Sequence, residues 1–213
     1  MEQKHEIACH GLRHDPQETT LNFNKQLQII KKATEIIQSA TGLRPRGFRA
    51  PLFRINENSW KALIKNDYIY DSSIVCSPFY GTHIFFPPRK PFFIPATDMH
   101  NKFGLLEIPV SINPILPFPL GGAWLRIFGS RWSKIGIKLN FLFETPVVFY
   151  IHPKDVIQRT FGRTWYSYRN TSSCTKMLED LIKYAKQRGA KFLKCEELAE
   201  DIFKQISEKS LTA

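Results

Sequence analysis

The first 75 residues alternate between strand-like and helix-like segments, and this alternation constrains the fold more than any other feature of the chain. Residues 5 to 9 read as a short buried strand. "DPQETTLNFNKQLQIIKKATEIIQSATG" reads as a helix. Asp15-Pro16 offers a start, Leu27, Ile30, Ala33, Ile36 and Ile37 recur at helical spacing, and Gly42 supplies a stop. "PRGFRAP" reads as a second strand and "NENSWKALIKND" as a second helix, with Asn58 or Ser59 as its cap. "YIYDSSIV" is a third strand. Strand–helix–strand–helix–strand is the pattern of a parallel α/β sheet or barrel.

From about residue 76 to 125 the chain turns rich in proline, glycine and aromatic residues. It reads there as long loops and short strands, the kind of segment that usually carries function. Residues 124 to 140 read as a short amphipathic helix, and "PVVFYIHP" as an intensely apolar central strand. "SSCTKMLEDLIKYAKQRG" reads as a helix ended by Gly189, and "AKFLKCEELAEDIFKQI" as a last strand and helix. The reading is one domain over residues 1–205 with a frayed tail over 206–213.

At 213 residues, 43% of them hydrophobic, the chain can bury one sizeable core. No apolar stretch reaches the roughly 20 residues of a transmembrane helix, and "MEQKHEIA" is too polar for a secretory leader. Cys9, Cys76, Cys174 and Cys195 form no C-x-x-C pair. They read as free thiols of a reducing compartment, which points to a cytoplasmic location. The net charge of +11 is spread without a run of four basic residues. It reads as a solvated basic surface rather than a nucleic-acid patch.

Four segments hold residues with chemistry. Of the six histidines, three lie in "HEIACHGLRHDP". His10 and His14 stand four apart, and Gly11 permits a turn that would let both imidazoles meet one ion. By itself this spacing favours capping or surface histidines over ligands. His152 closes the strand "VVFYI" ahead of Pro153, where α/β active sites form, and could act as a general acid or bond a loop carbonyl. Arg49 in "FRAP" could hold a carboxylate or form a surface ion pair. Asp71 in "YDSS" could tune a histidine or cap a turn.

Taken in order, these segments resemble the polysaccharide deacetylase family, that is, the NodB-homology domains of carbohydrate esterase family 4. "HEIACHGLRHD" is similar to the family's "GHEIASHGYSH", "RGFRAPLFRIN" to its arginine-proline motif, and "YIYDSSI" to the strand that follows. "FYIHPKD" is similar to its "HPWE" segment, with Lys154 and Asp155 in place of Trp and Glu. "LLEIPVS", "LGGAWLRI" and "YSYRNTSSCTKMLEDLI" resemble the exopolysaccharide-associated branch. The resemblance implies a distorted (β/α) barrel and a hydrolase of non-peptide C–N bonds. Such a hydrolase removes N-acetyl groups from a glycan and uses zinc or a similar divalent ion. It further implies that His10 and His14 are metal ligands and that His152 is the acid protonating the leaving amine. Arg49 would orient the base, and Asp71 would help set the pKa of His152. Pro51, Gly121, Gly122 and Trp124 would contact substrate, and Phe92 and Phe93 could also flank a sugar ring. These residue types suit hydrolysis by metal-activated water, with an acid to protonate the poor leaving group.

The family's first motif, "TFDD" or "FDVE", supplies the base and an aspartate ligand, and nothing similar precedes His10. The resemblance therefore implies a domain incomplete at its N-terminus, lacking its first strand and helix, with a zinc site short of its third ligand. The aspartate could lie upstream, lie on another polypeptide, or be lost, and Asp98 is a candidate replacement. Two other functions stay open: a non-catalytic carbohydrate-binding homologue, and a small cyclic-amide hydrolase of the same fold.

Overall fold

A computed structural model describes residues 5–77, 79, 88–95, 104–157 and 171–211. Its helices are α1 (Phe23–Thr41), α2 (Glu57–Lys65), α3 (Gly122–Leu142), α4 (Pro153–Val156), α5 (Thr171–Lys186) and α6 (Cys195–Leu211). Its strands are β1 (Gly47–Phe48), β2 (Tyr70–Asp71), β3 (Phe92–Ile94) and β4 (Leu105–Glu107). Two compact units result. The first comprises Met1–Ile74, Pro91–Ile108 and Leu193–Ala213, and the second comprises Val75–Lys90 and Pro109–Phe192.

The first unit holds the sheet, in the order β1-β2-β4-β3. β1 and β2 run parallel, as the alternation predicts; β4, from the loop-rich middle of the chain, runs parallel to β2, and β3 adds an antiparallel edge. The fold class is therefore α/β with a mixed sheet. Residues 5 to 9 contribute less than a full strand: Cys9 alone bridges Phe48, donating to the Gly47 carbonyl at 2.8 Å and accepting from Arg49 at 2.9 Å. Gly42, with φ of 74°, ends α1 as expected. The start differs. Asp15 caps a separate 3-10 turn, Pro16–Thr20, and extended backbone at Leu21 interrupts the helix. Asn22 then caps α1 by accepting from the Lys25 N–H. Similarly, Asn56 rather than Asn58 or Ser59 caps α2, accepting from the Ser59 N–H at 3.0 Å. Residues 190–194, read from sequence as a strand, are irregular. Phe48, Leu63, Tyr68, Tyr70, Leu105 and Leu106 are buried in this unit.

In the second unit α3 packs on α5 around Leu120, Leu125, Ile137, Cys174 and Leu181. α3 breaks at Gly129, whose φ of 81° only glycine adopts freely. "PVVFYIHP" is not the central strand its composition suggests. It is half-buried and joins its neighbours by a single bridge, Gly121 to Tyr150. The cause is local: the Val148 N–H donates to the Ser111 side-chain oxygen at 2.9 Å, so a side chain takes the place of a ladder carbonyl. Among the described residues no helix is long and apolar enough to cross a membrane. All four cysteines are free thiols.

Candidate functional site

In the first unit the chain turns immediately after the Cys9 bridge. Gly11 has φ of 79°, and a Cβ there would come within 3.0 Å of the buried Pro51 ring. His14 itself is left-handed, with φ of 53°, and so are Leu52 and Phe53 in the turn containing Pro51. Such residues cost free energy and persist only where surrounding structure holds them. The result is that the exposed His10 and His14 rings meet edge to face, centroids 5.1 Å apart. His10 Nδ1 lies 2.6 Å from the Arg49 carbonyl oxygen. A carbonyl only accepts, so Nδ1 carries the proton and donates it. That is the form in which a histidine binds a metal.

Arg49 is itself fixed by the "YDSS" segment. Its Nε donates to the Ser72 carbonyl at 2.8 Å and its Nη2 to Ser72 Oγ at 2.7 Å, while Ser73 Oγ accepts from the Ala50 N–H at 2.8 Å. The two serines thus hold the arginine-proline turn beneath His10. Burial pushes the Cys9 thiol pKa up, which suits the apolar reading of this residue.

Asp71 is fully buried. It accepts from Trp60 Nε1 at 3.2 Å and from Ser73 Oγ at 2.5 Å. Its strand neighbour Glu107 is also fully buried, and one of its oxygens accepts from the Ile74 N–H at 2.9 Å. The other oxygen makes no hydrogen bond of good geometry and sits by the Asp71 carboxyl. Burial raises the pKa of Asp71, against the pull of its bonds to Glu107, Ser73 and Trp60. Burial and the Asp71 charge push Glu107 well above the carboxylate range. Both shifts favour a proton on the pair, more strongly on Glu107, while Asp71 has more donors to support a charge.

A raised folded-state pKa means that the native protein binds more protons than the unfolded chain. Stability is then full below the unfolded value of about 4.3 and falls as pH rises toward the folded value. Glutamine copies the shape and bonding of the protonated acid without ionising. Glu107→Gln is expected to leave the melting temperature unchanged near pH 4 and to raise it at pH 8, by about 1.4 kcal/mol of stability per unit of elevation removed. Parallel pH–melting curves for the two proteins would refute the raised pKa of Glu107.

The second unit holds the other constellation. The His152 N–H donates to Asp155 Oδ2 at 2.9 Å, and the His152 ring Nδ1 lies 3.6 Å from the same oxygen. Asp155 is fully buried, and Arg126 donates to its Oδ1 from Nε at 3.1 Å and Nη2 at 2.8 Å. Burial alone would raise the Asp155 pKa, but the bonds from His152 and the Arg126 charge hold it below the usual carboxylate range. Both glycines of "GGAW" have packing reasons. A Cβ on Gly121 would stand 2.5 Å from the Tyr150 ring, and one on Gly122 would stand 2.4 Å from Asp155 Oδ2. Trp124 stacks on Phe118 at 4.3 Å, within a run of rings that includes Phe79 and Phe128.

Of the residues predicted from sequence, His10, His14, Arg49, Pro51 and Asp71 thus stand in the first unit. Gly121, Gly122, Trp124 and His152 stand in the second. Phe92 and Phe93 lie on β3, with Phe93 against Phe203 at 5.4 Å, and Asp98 falls outside the described residues. The two imidazoles fit a divalent ion as nitrogen donors. Among the described residues no group of three or more histidines, cysteines or carboxylates is placed to hold one. Sequence reasoning missed Glu107 and Arg126 and noted Asp155 without giving it a role. The available signal was a lone charge inside an apolar run, "LLEIPVS" and "GGAWLRI", since a buried charge requires a partner.

The profile of the family described as Polysaccharide deacetylase matches residues 1–70, and that of the Domain of unknown function (DUF3473) matches residues 72–199. The chain is 41% identical over 69 residues to the Peptidoglycan deacetylase-like protein FGM2 of Gibberella zeae, covering 32% of this chain and 20% of that protein. It is 27% identical over 113 residues to the Peptidoglycan deacetylase of Helicobacter pylori, covering 53% and 35%. Residues 1–70 thus fall in the polysaccharide deacetylase family, and the larger part of the chain falls in the family described as DUF3473. The chain spans a fifth to about a third of the length of those relatives. Solved structures agree on the fold. A polysaccharide deacetylase from Mycobacterium smegmatis superposes with a TM-score of 0.65 at 17% identity, over 94% of this chain and 64% of that one. PuuE allantoinase gives 0.63 at 16% identity, over 92% and 58%. A third, from Pseudomonas aeruginosa PAO1, gives 0.58 at 18%, over 92% and 58%. The fold is the deacetylase type that the sequence motifs imply.

Proposed function

We propose that this chain is part of a metal-dependent hydrolase that removes N-acetyl groups from a polysaccharide or its amino-sugar units. The observation that carries the proposal is the His10–Arg49 hydrogen bond, which fixes the His10 tautomer beside the His14 ring. His10 and His14 are the proposed protein donors, and imidazoles suit zinc and similar transition-metal ions rather than magnesium or calcium. When bound, such an ion supplies Lewis acidity to an amide carbonyl and to water. Arg49 contributes position, since its carbonyl orients His10 while its guanidinium is anchored on Ser72. In this reading His152 gives a proton to the departing amine, without which an amide C–N bond does not break readily. Trp124 offers a flat apolar face suited to a pyranose ring.

The test is acetate release from N-acetylglucosamine oligomers, measured before and after chelation and zinc readdition. Activity lost with chelator and restored by zinc is the expected result. His152→Gln is expected to lower kcat by about 10²–10⁴ with zinc content unchanged. A second reading, a carbohydrate-binding homologue without chemistry, draws support from the lack of a third ligand group among the described residues. Glycan binding that is indifferent to chelator and to His10→Ala, with no acetate released, would favour that reading instead.

A further inference from the structure

We infer that the outer face of α3, in the second unit, docks on the surface of an anionic lipid bilayer. Beyond its break at Gly129 this helix is inside out for one that faces only water. Its inner face carries Ser133, Gly136, Ile137 and Asn140, all buried. Its outer face carries the exposed Arg131, Ile135, Lys138 and Leu142, spaced so that they align on one side of the helix. Ile135 is 46% exposed and Leu142 70%, while small and polar side chains fill the inside. A lone exposed aliphatic residue is ordinary, but a contiguous apolar face marks an interaction site. The face continues at both ends. Past Leu142, Arg89 lies over the exposed Phe143 ring, 4.6 Å from its centroid. At the other end the exposed Phe128 stacks on Trp124 at 5.8 Å and tilts against Phe118 at 5.5 Å. Just before Phe118 comes the tip Ile115-Leu116, with Ile115 74% exposed. That tip is held in place: Asn113 Oδ1 accepts from the Ile115 N–H at 3.0 Å, and Nδ2 donates to the Trp132 carbonyl at 3.0 Å.

Charge decides what covers this face. Between Glu107 and Glu144 the chain holds no acid, only Arg126, Arg131, Lys134 and Lys138. Arg126 is taken by Asp155, and Lys134 by Asp180 at 2.7 Å. Arg131 and Lys138 are therefore the cations presented outward, between the aliphatic side chains. Two copies joined through this face would set those cations against themselves, with no acid on it to answer them. A nucleic acid would satisfy the cations and leave the aliphatic side chains in water. An anionic bilayer satisfies both. Headgroup phosphates meet the arginine and lysine, and the apolar side chains enter the boundary between headgroups and acyl chains. α3 would lie along that boundary without crossing it, since no described helix is long and apolar enough to span a membrane.

The test is co-sedimentation of the full chain with vesicles of equal parts phosphatidylglycerol and phosphatidylcholine, against vesicles of phosphatidylcholine alone. Binding to the first, weak on the second and loosened by added salt, is the expected result. Arg131→Glu/Lys138→Glu is expected to cut the partition coefficient more than about 20-fold, since each basic residue near the surface contributes about fivefold. Ile135→Ser/Leu142→Ser is expected to cut it by about 10-fold or more. All four side chains are exposed, so both variants should keep the wild-type melting temperature. Lys31→Glu/Lys32→Glu makes the same change of net charge on exposed positions of α1 and is expected to bind nearly as wild type. The proposal is overturned if wild type ignores the anionic vesicles, or if the α1 variant loses as much binding as the α3 charge variant. It is overturned equally if the serine variant binds as wild type, which would leave only a patch for polyanions. A dimer that the serine variant breaks, with no vesicle binding, would make the face an interface between copies instead.

Discussion

Gly47→Ala is expected to destabilise the first unit by about 3 kcal/mol or more, at the upper end of overpacking costs. The added methyl would lie 1.9 Å from Tyr70 Cζ and 2.1 Å from its hydroxyl oxygen. Gly47 and Tyr70 are register partners on parallel strands, so neither backbone can withdraw without opening the β1–β2 pair. Nor can the ring swing aside freely. Tyr70 is 4% exposed, and its hydroxyl donates to Glu6 Oε1 at 2.5 Å. Losing that bond adds about 1 kcal/mol. The urea midpoint should fall with an unchanged m-value. Gly47→Ala/Tyr70→Leu should recover part of the loss, since two side chains competing for one space give a large coupling energy. A midpoint within error of wild type would show that the ring has somewhere else to go.

His10→Ala is expected to abolish stoichiometric zinc retention while leaving the melting temperature near wild type. The ring is exposed and its packing partner is another exposed ring, so truncation opens no cavity. Ligand loss is a different matter. Removing even an orienting partner of a metal ligand costs 10–100-fold in affinity, so removing the ligand itself should cost more than about 100-fold. Equilibrium dialysis of zinc against the folded variant reads this directly. His14→Ala should match it, because the two rings are proposed to serve one ion. Zinc bound equally well by His10→Ala would show that the pair is not a metal site.

Local features were legible in the sequence. The stop at Gly42, α2 and the turn at Gly11 follow from a few neighbouring residues, and the family motifs located the histidine pair and the arginine-proline turn. What the sequence hid was partner choice. "NENS" offers several side chains able to cap, and only the chain path selects Asn56. The β3 edge pairs with β4 across a loop, and no periodicity reveals its direction. "PVVFYIHP" has the composition of a central strand, but a serine hydroxyl takes the hydrogen bond that would have extended the ladder. Ser72 reads as one residue of the strand "YIYDSSIV" until the Arg49 guanidinium is seen on it. Arg126 and Asp155 are 29 positions apart, so neither names the other as its partner.

The contact between residues 10 and 49 has an experimental consequence of its own. His10 is aimed by a main-chain oxygen, which every amino acid at position 49 possesses. Truncating the arginine would release its grip on Ser72 yet leave that oxygen in the chain, so alanine scanning is blind to the interaction. An amide-to-ester exchange at the peptide linking Arg49 to Ala50 weakens the oxygen as an acceptor and leaves every side chain intact.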